Sequence, residues 1–156
     1  MRSDSTRREF ITGGSAAAGV AALAFAGGGA TAHEVEINAM GPTPEAFQKF
    51  MALPDAPVVM VNLLKFKPGG AAAYQQYGRD VGKILAKIGA RILFSSETKV
   101  CLIGNADWDA IALVEYPNPQ ALIQMSQSEE YQAIHKNRED GLEGQVNYAV
   151  IQNPTP

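Results

Sequence analysis

Past residue 57 the apolar positions switch repeatedly between strand-like runs and runs spaced by three and four. The switch is sharpest between Trp108 and Arg138. Residues 108–116 read as a strand, Pro117-Asn118-Pro119 as a corner, and the stretch that follows as a helix. That helix carries Ser128, Tyr131 and Arg138 back over a sheet, which is how a pocket is built. Upstream, residues 58–66 (VVMVNLLKF) are apolar on both alternating faces, with Asn62 the one polar residue before Lys65. A strand of that kind is covered on both sides. Residues 67–70 (KPGG) form a loop. Tyr74, Tyr77, Val81, Ile84, Leu85 and Ile88 then make one stripe at helical spacing, so residues 71–88 are predicted helical, closed by Gly89.

Residues 90–103 alternate and are read as one long strand. Ile92, Phe94, Val100 and Leu102 share a face, and Ser95-Ser96 is the place for a bulge or bend. Residues 104–107 make a hairpin loop. Asn118 and Pro119 give the next helix a cap and a first residue. Ser126 and Glu129 have capping-box spacing, so the helix is expected to break and restart near them. Residues 145–152 (QVNYAVIQ) are the last strand, and residues 153–156 a free tail. Before the first strand, Thr43-Pro44-Glu45 starts a short helix whose Phe47, Phe50 and Met51 form an apolar face, expected to pack as a lid or clasp.

The order strand, helix, strand, strand, helix, strand is that of an α+β, ferredoxin-like βαββαβ sheet with helices on one face. Val58, Met60 and Leu64 oppose Val59, Val61 and Leu63, so the far face is apolar as well. An exposed apolar sheet face is a liability in a monomer. Pairing two such faces about a twofold axis removes it, and a homodimer is expected on that ground.

The first residues change the picture. Arg7-Arg8-Glu9-Phe10-Ile11, a mildly apolar Gly/Ala-rich run and Ala30-Thr31-Ala32 read as a twin-arginine export signal over residues 1–32. His33 then begins the mature chain, and the expected compartment is the periplasm, with no stable membrane insertion once the signal is cleaved. Residues 33–57 are the lead-in and short helix, and residues 58–152 the barrel domain. Removing 32 of 156 residues leaves 124, a single-domain length. Without Arg2, Arg7, Arg8, Asp4 and Glu9, the 13 basic and 16 acidic residues become 10 and 14, a formal charge of −4. No basic patch stands out, so no nucleic-acid partner is expected. Cys101 is the only cysteine. It excludes a disulfide within the chain, and its place in the long strand predicts a buried, inert thiol.

Val114-Glu115-Tyr116-Pro117, then Ser128-Glu129-Glu130-Tyr131-Gln132-Ala133-Ile134, then Arg138, together resemble the domain-of-unknown-function 1330 (DUF1330) family. Its members show an acidic-aromatic-Pro strand end, a Ser-x-x-Tyr helix start and a trailing Arg. The resemblance covers roughly residues 58–151 and implies a dimeric α+β barrel. Two departures leave the ligand open. Gly89-Ala90-Arg91 keeps one glycine where the family tends to have paired glycines and an Arg, and residues 61–66 look like a subgroup variant. Barrels of the same superfamily include cofactor-independent oxygenases and haem-degrading enzymes. The latter use an Asn on the first strand, a Trp on the third and a His on the second helix. Asn62, Trp108 and His135 stand on the corresponding elements, but His135 follows Trp108 at a longer spacing and falls late in its helix, where it is expected near the surface.

Glu115 lies inside an apolar strand and must be paired or protonated if buried. Arg138 is its expected partner, either as a pair flanking a ligand, with Tyr131 and Ser128 as donors, or as a structural tie between helix and sheet. Tyr74 and Tyr77 read more as core than as contacts. His33, offering an amine and an imidazole, can hold copper with His135 as a third ligand, but nothing else supports a metal site. No cofactor is expected. The leading reading is an exported homodimer binding a small, partly apolar molecule through Asn62, Tyr77, Trp108, Glu115, Ser128, Tyr131 and Arg138. Its rival is a cofactor-independent monooxygenase or isomerase with Glu115 or His135 moving the proton.

Overall fold

The structure is a computed structural model that describes residues 40–153. The expected export signal and His33 lie outside the described residues. In chain order the elements are α1 (Pro44–Met51), β1 (Val58–Phe66), α2 (Ala71–Lys87), β2 (Arg91–Glu97), β3 (Ala110–Tyr116), α3 (Pro119–Gln127), α4 (Glu129–Gly141) and β4 (Leu142–Val150). The strands form one sheet in the order β2-β3-β1-β4, and every neighbouring pair is antiparallel. This is the ferredoxin-like α+β arrangement that the order of elements predicts.

The helix starts follow their capping chemistry. The Thr43 hydroxyl accepts from the Ala46 amide at 3.1 Å, with Pro44 as first residue of α1. The Asn118 side chain accepts from the Ala121 amide at 2.8 Å, with Pro119 as first residue of α3. The break between α3 and α4 falls where expected, but its cap is Ser128, two residues beyond Ser126. Gly89 follows α2 with φ +72°, a conformation that disfavours any residue with a Cβ. α1 buries nothing fully: Phe50 packs on the core with Leu53, while Phe47 and Met51 stay exposed. The clasp is therefore light.

Helices α2 and α4 pack against each other over one face of the sheet. The register puts Val58, Met60, Asn62 and Leu64 of β1 on that face, beside Tyr116, Val114, Ala112 and Ala110 of β3. Val59, Val61 and Leu63 point the other way, with Glu115, Leu113 and Ile111 of β3 and Val150, Tyr148 and Val146 of β4. No described helix covers this second face, and Phe94 and Tyr148 are half exposed on it.

The predicted strand over residues 90–103 is corrected. β2 ends at Glu97, opposite Ala110, because β3 offers no partner before that residue. Thr98 still donates its amide to the Asp109 carbonyl at 2.9 Å, after which the chain leaves the sheet. The expected four-residue hairpin loop is thus a long one, with Val100, Leu102 and Ile103 almost fully exposed. Cys101 is exposed there rather than buried. The bulge lies between Ile92 and Phe94, not at Ser95-Ser96. It turns Ile92 toward the helices and Phe94 away from them, so the two do not share a face. β4 begins three residues earlier than predicted, directly from α4, because Leu142 is needed in the core, where it pairs with Phe66.

Candidate functional site

The helix-facing side of β1 should be uniformly apolar, and it is not. Val58 and Met60 belong to one core cluster, with Tyr77, Val81, Ile84, Leu85, Met125 and Tyr131. Leu64 belongs to a second, with Ala110 and Leu142. Between them stands Asn62, level with Ala112 on one neighbouring strand and Asn147 on the other. A polar layer therefore divides the core in two. Withdrawing an amide from water is unfavourable unless it is bonded; the partly buried Asn62 is bonded, and its Asn147 neighbour is exposed at the sheet edge. Asn62 Nδ2 donates to the carbonyls of Met60 at 3.1 Å and Ala112 at 3.0 Å, and Asn62 Oδ1 accepts from Asn147 Nδ2.

The helices close the layer from above. Arg138, in the last turn of α4, donates from Nη2 to Oε1 of Gln145, a buried side chain beside Leu64 in the register. Tyr77 of α2 and Tyr131 of α4 are both buried, and the Tyr77 hydroxyl donates to that of Tyr131 at 3.4 Å. Their rings meet edge to face with centroids 6.2 Å apart. Tyr74 stacks at 5.4 Å on Tyr77 and at 5.3 Å on Phe66, and so bridges the two clusters. On the other side His135 lies 5.4 Å from the Tyr131 ring. Its Nε2 is 3.2 Å from Oε1 of Glu139, while its Nδ1 is buried without a partner among the described residues.

The phenols are held neutral. Burial pushes the Tyr74 hydroxyl up to about 12, and the guanidinium of Arg138 pulls the other way. Burial also raises Tyr77 well above the usual phenol value, helped by Tyr131. Tyr116 is raised as well, again chiefly by burial. Arg138 opposes the shift at all three. Among the described residues no carboxylate lies within salt-bridge distance of Arg138.

From the expected set, Asn62 is bonded across the sheet, Tyr77 and Tyr131 meet between the helices, and Arg138 ties α4 to β4, all on the helix-covered side. His135 joins at its margin, less exposed than its position suggested. Glu115 does not join. It points to the opposite face of the sheet, where Oε1 accepts from Arg91 Nε at 2.7 Å, so the expected Glu115–Arg138 pair is corrected to Glu115–Arg91. The cause is parity: Tyr116 faces the helices, so Glu115 cannot. Ser128 is occupied as a cap, accepting from the Tyr131 amide at 3.2 Å and donating to the Met125 carbonyl at 2.7 Å. Trp108 precedes β3 and lines an open cleft of about 740 Å³ with Lys65, Phe66, Thr98, Cys101 and Ile111. The exposed loop and the uncovered sheet face border that cleft, and it lacks a convergent set of buried polar groups. The layer is the better candidate site. Gln145, Asn147 and Tyr116 were missed from sequence, although their alternation with Val146 and Glu115 gave the signal. Among the described residues no three His, Cys, Asp or Glu side chains group as a metal site, and no helix is long and apolar enough to cross a membrane.

The family described as Domain of unknown function (DUF1330) matches residues 63–152. A solved protein of unknown function from Rhodopseudomonas palustris is 28% identical, with 73% of this chain and 97% of that one covered and a TM-score of 0.65. The same protein in methylated form gives 27% identity, 78% and 100% coverage, and a TM-score of 0.68. A dimeric protein of unknown function and ferredoxin-like fold from Bacteroides fragilis is 15% identical, with 60% and 94% covered and a TM-score of 0.46, a likeness too slight to bear on function. No curated protein matches the chain.

Proposed function

The chain belongs to the DUF1330 family, and on that premise we propose that it is an exported homodimer which binds a small, partly apolar molecule at the polar layer between sheet and helices. One observation carries the binding reading: a domain of this size divides its own core with a bonded set of amides, phenols and a guanidinium. An apolar replacement would pack at least as well, so stability alone gives no reason for the layer. A few convergent polar groups between apolar walls are what a small-molecule site needs.

The homodimer is supported by the uncovered sheet face, where Val61, Leu63, Leu113, Phe94, Val146 and Tyr148 meet water in a single copy. Export rests on the paired Arg7-Arg8 and the small-residue step before His33. Proton transfer is the rival role for the site. The buried, unpartnered Nδ1 of His135 favours it over Glu115, which lies across the sheet.

Native mass spectrometry of the protein purified from the periplasm tests the whole reading. The expected result is twice the mass of a chain lacking 32 residues, carrying a retained small molecule that Tyr77→Phe or Asn62→Leu removes. A single subunit of full length, without a guest, overturns it.

A further inference from the structure

Arg138 is half buried, and among the described residues its five N–H donors meet one acceptor, the amide oxygen of Gln145. We propose that the polar layer takes a monoanionic carboxylate with an apolar or aromatic body, its carboxylate held by Arg138. The inference rests on the binding reading above and names the charge of the ligand.

Three observations lead there. First, a guanidinium withdrawn from water requires a counter-charge or several acceptors, and among the described residues no carboxylate reaches it. Its planar fork matches a carboxylate by two parallel hydrogen bonds. Second, the groups around it do not repel. Tyr74, Tyr77 and Tyr116 stay protonated throughout the physiological range, so they set no negative charge against an anion. The Asn62 amide is committed to backbone carbonyls, which fixes the floor of the layer. Third, the walls are apolar. Met60 and Val114 lie on one side, Leu64 and Ala110 on the other, and the rings of Tyr74 and Tyr77 above. One positive charge balances one negative charge. A phosphate dianion would leave a charge unpaired among those walls, so the carboxylate is favoured.

Calorimetric titration of the full chain decides the matter, with benzoate, octanoate and 1-naphthoate each run beside its primary amide. At least one acid should bind about tenfold tighter than its amide, the size expected of a charge-assisted hydrogen bond. Arg138→Gln should abolish that preference, and Arg138→Lys, which keeps the charge but not the fork, should retain part of it. Circular dichroism establishes that the variants are folded, and the lysine variant decides if the glutamine one is not. If no acid outbinds its amide, or if the preference survives loss of the guanidinium, the proposal is overturned. Failure of the underlying site looks different: acids and amides bind alike, and neither Tyr77→Phe nor Asn62→Leu alters their affinity.

Discussion

A Cβ added to Gly141 would stand 2.8 Å from Cβ of Tyr74 and 3.0 Å from the carbonyl oxygen of Gly70. One added to Gly70 would come within 2.4 Å of the Gly141 carbonyl, so each glycine is required by the other. Gly141→Ala should therefore destabilise the protein by about 1–3 kcal/mol, read as a lower denaturation midpoint, and should disturb Tyr74 at the layer. An unchanged midpoint would show that the crossing is loose. The phenols make a second prediction at this scale. Unfolded, Tyr74 ionises near 10.0; folded, burial holds it to about 12. The unfolded state thus loses its proton first, and the stability that Tyr74 provides is intact below pH 10 and is lost between about 10 and 12. That amounts to roughly 2–3 kcal/mol, with Tyr77 adding to it in the same direction. Alkaline unfolding should begin above pH 10, with Tyr74, Tyr77 and Tyr116 ionising only as the fold is lost; tyrosinate absorbance from those three, identified by replacing each with Phe, before unfolding would contradict this. Single residues were only partly legible in the sequence. Arg138, Tyr131 and Asn62 announced themselves as polar groups in apolar surroundings. The partner of Glu115 did not, because Arg91 is set against it by a strand register that one strand cannot reveal.

Among the elements, α4 depends most visibly on one side chain. Ser128 satisfies the Tyr131 amide and ties itself to the Met125 carbonyl, joining the end of α3 to the start of α4. Ser128→Ala should cost about 1 kcal/mol while leaving ligand affinity unchanged, as measured by denaturation and titration together. A large loss of affinity at normal stability would return Ser128 to the site. Helices and the central strand were legible because their signals are local: a cap, a proline and a stripe for α1, α2 and α3, and an apolar run for β1. The ends of β2 and β4 were not. Lys99 to Ile103 have the right composition for a strand, yet strand length is set by the neighbour, and β3 starts only at Ala110. Leu142 enters β4 at once because tertiary burial, not propensity, sets the boundary.

For the molecule as a whole, the two parities of β1 serve two different cores. Even-numbered positions meet the helices, and odd-numbered ones lie on the face that no described helix covers, where the proposed second copy would pack. Leu113→Lys, on the awaiting face, should convert a dimer into a monomer by sedimentation equilibrium while leaving the helical spectrum intact. A wild-type monomer at micromolar concentration would remove the reason for that face. The apolar character of both sides was legible in residues 58–66. What no single sequence displays is the layer, since Gln145, Asn147 and Arg138 converge only once β4 is laid beside β1.

The tight crossing of Gly70 and Gly141 would limit how a guest reaches the proposed site. It pins the beginning of α2 to the end of α4, so the roof cannot lift at that end like the lid of a box. At the other end Val58 and Tyr116 are sealed beneath the helices. A lateral approach would pass Ser95 on one border of the sheet or Asn147 on the other, both exposed and both on the helix-facing side by register. A molecule slipping in sideways would present its narrow edge first, which selects for flat bodies over bulky ones before any hydrogen bond is made.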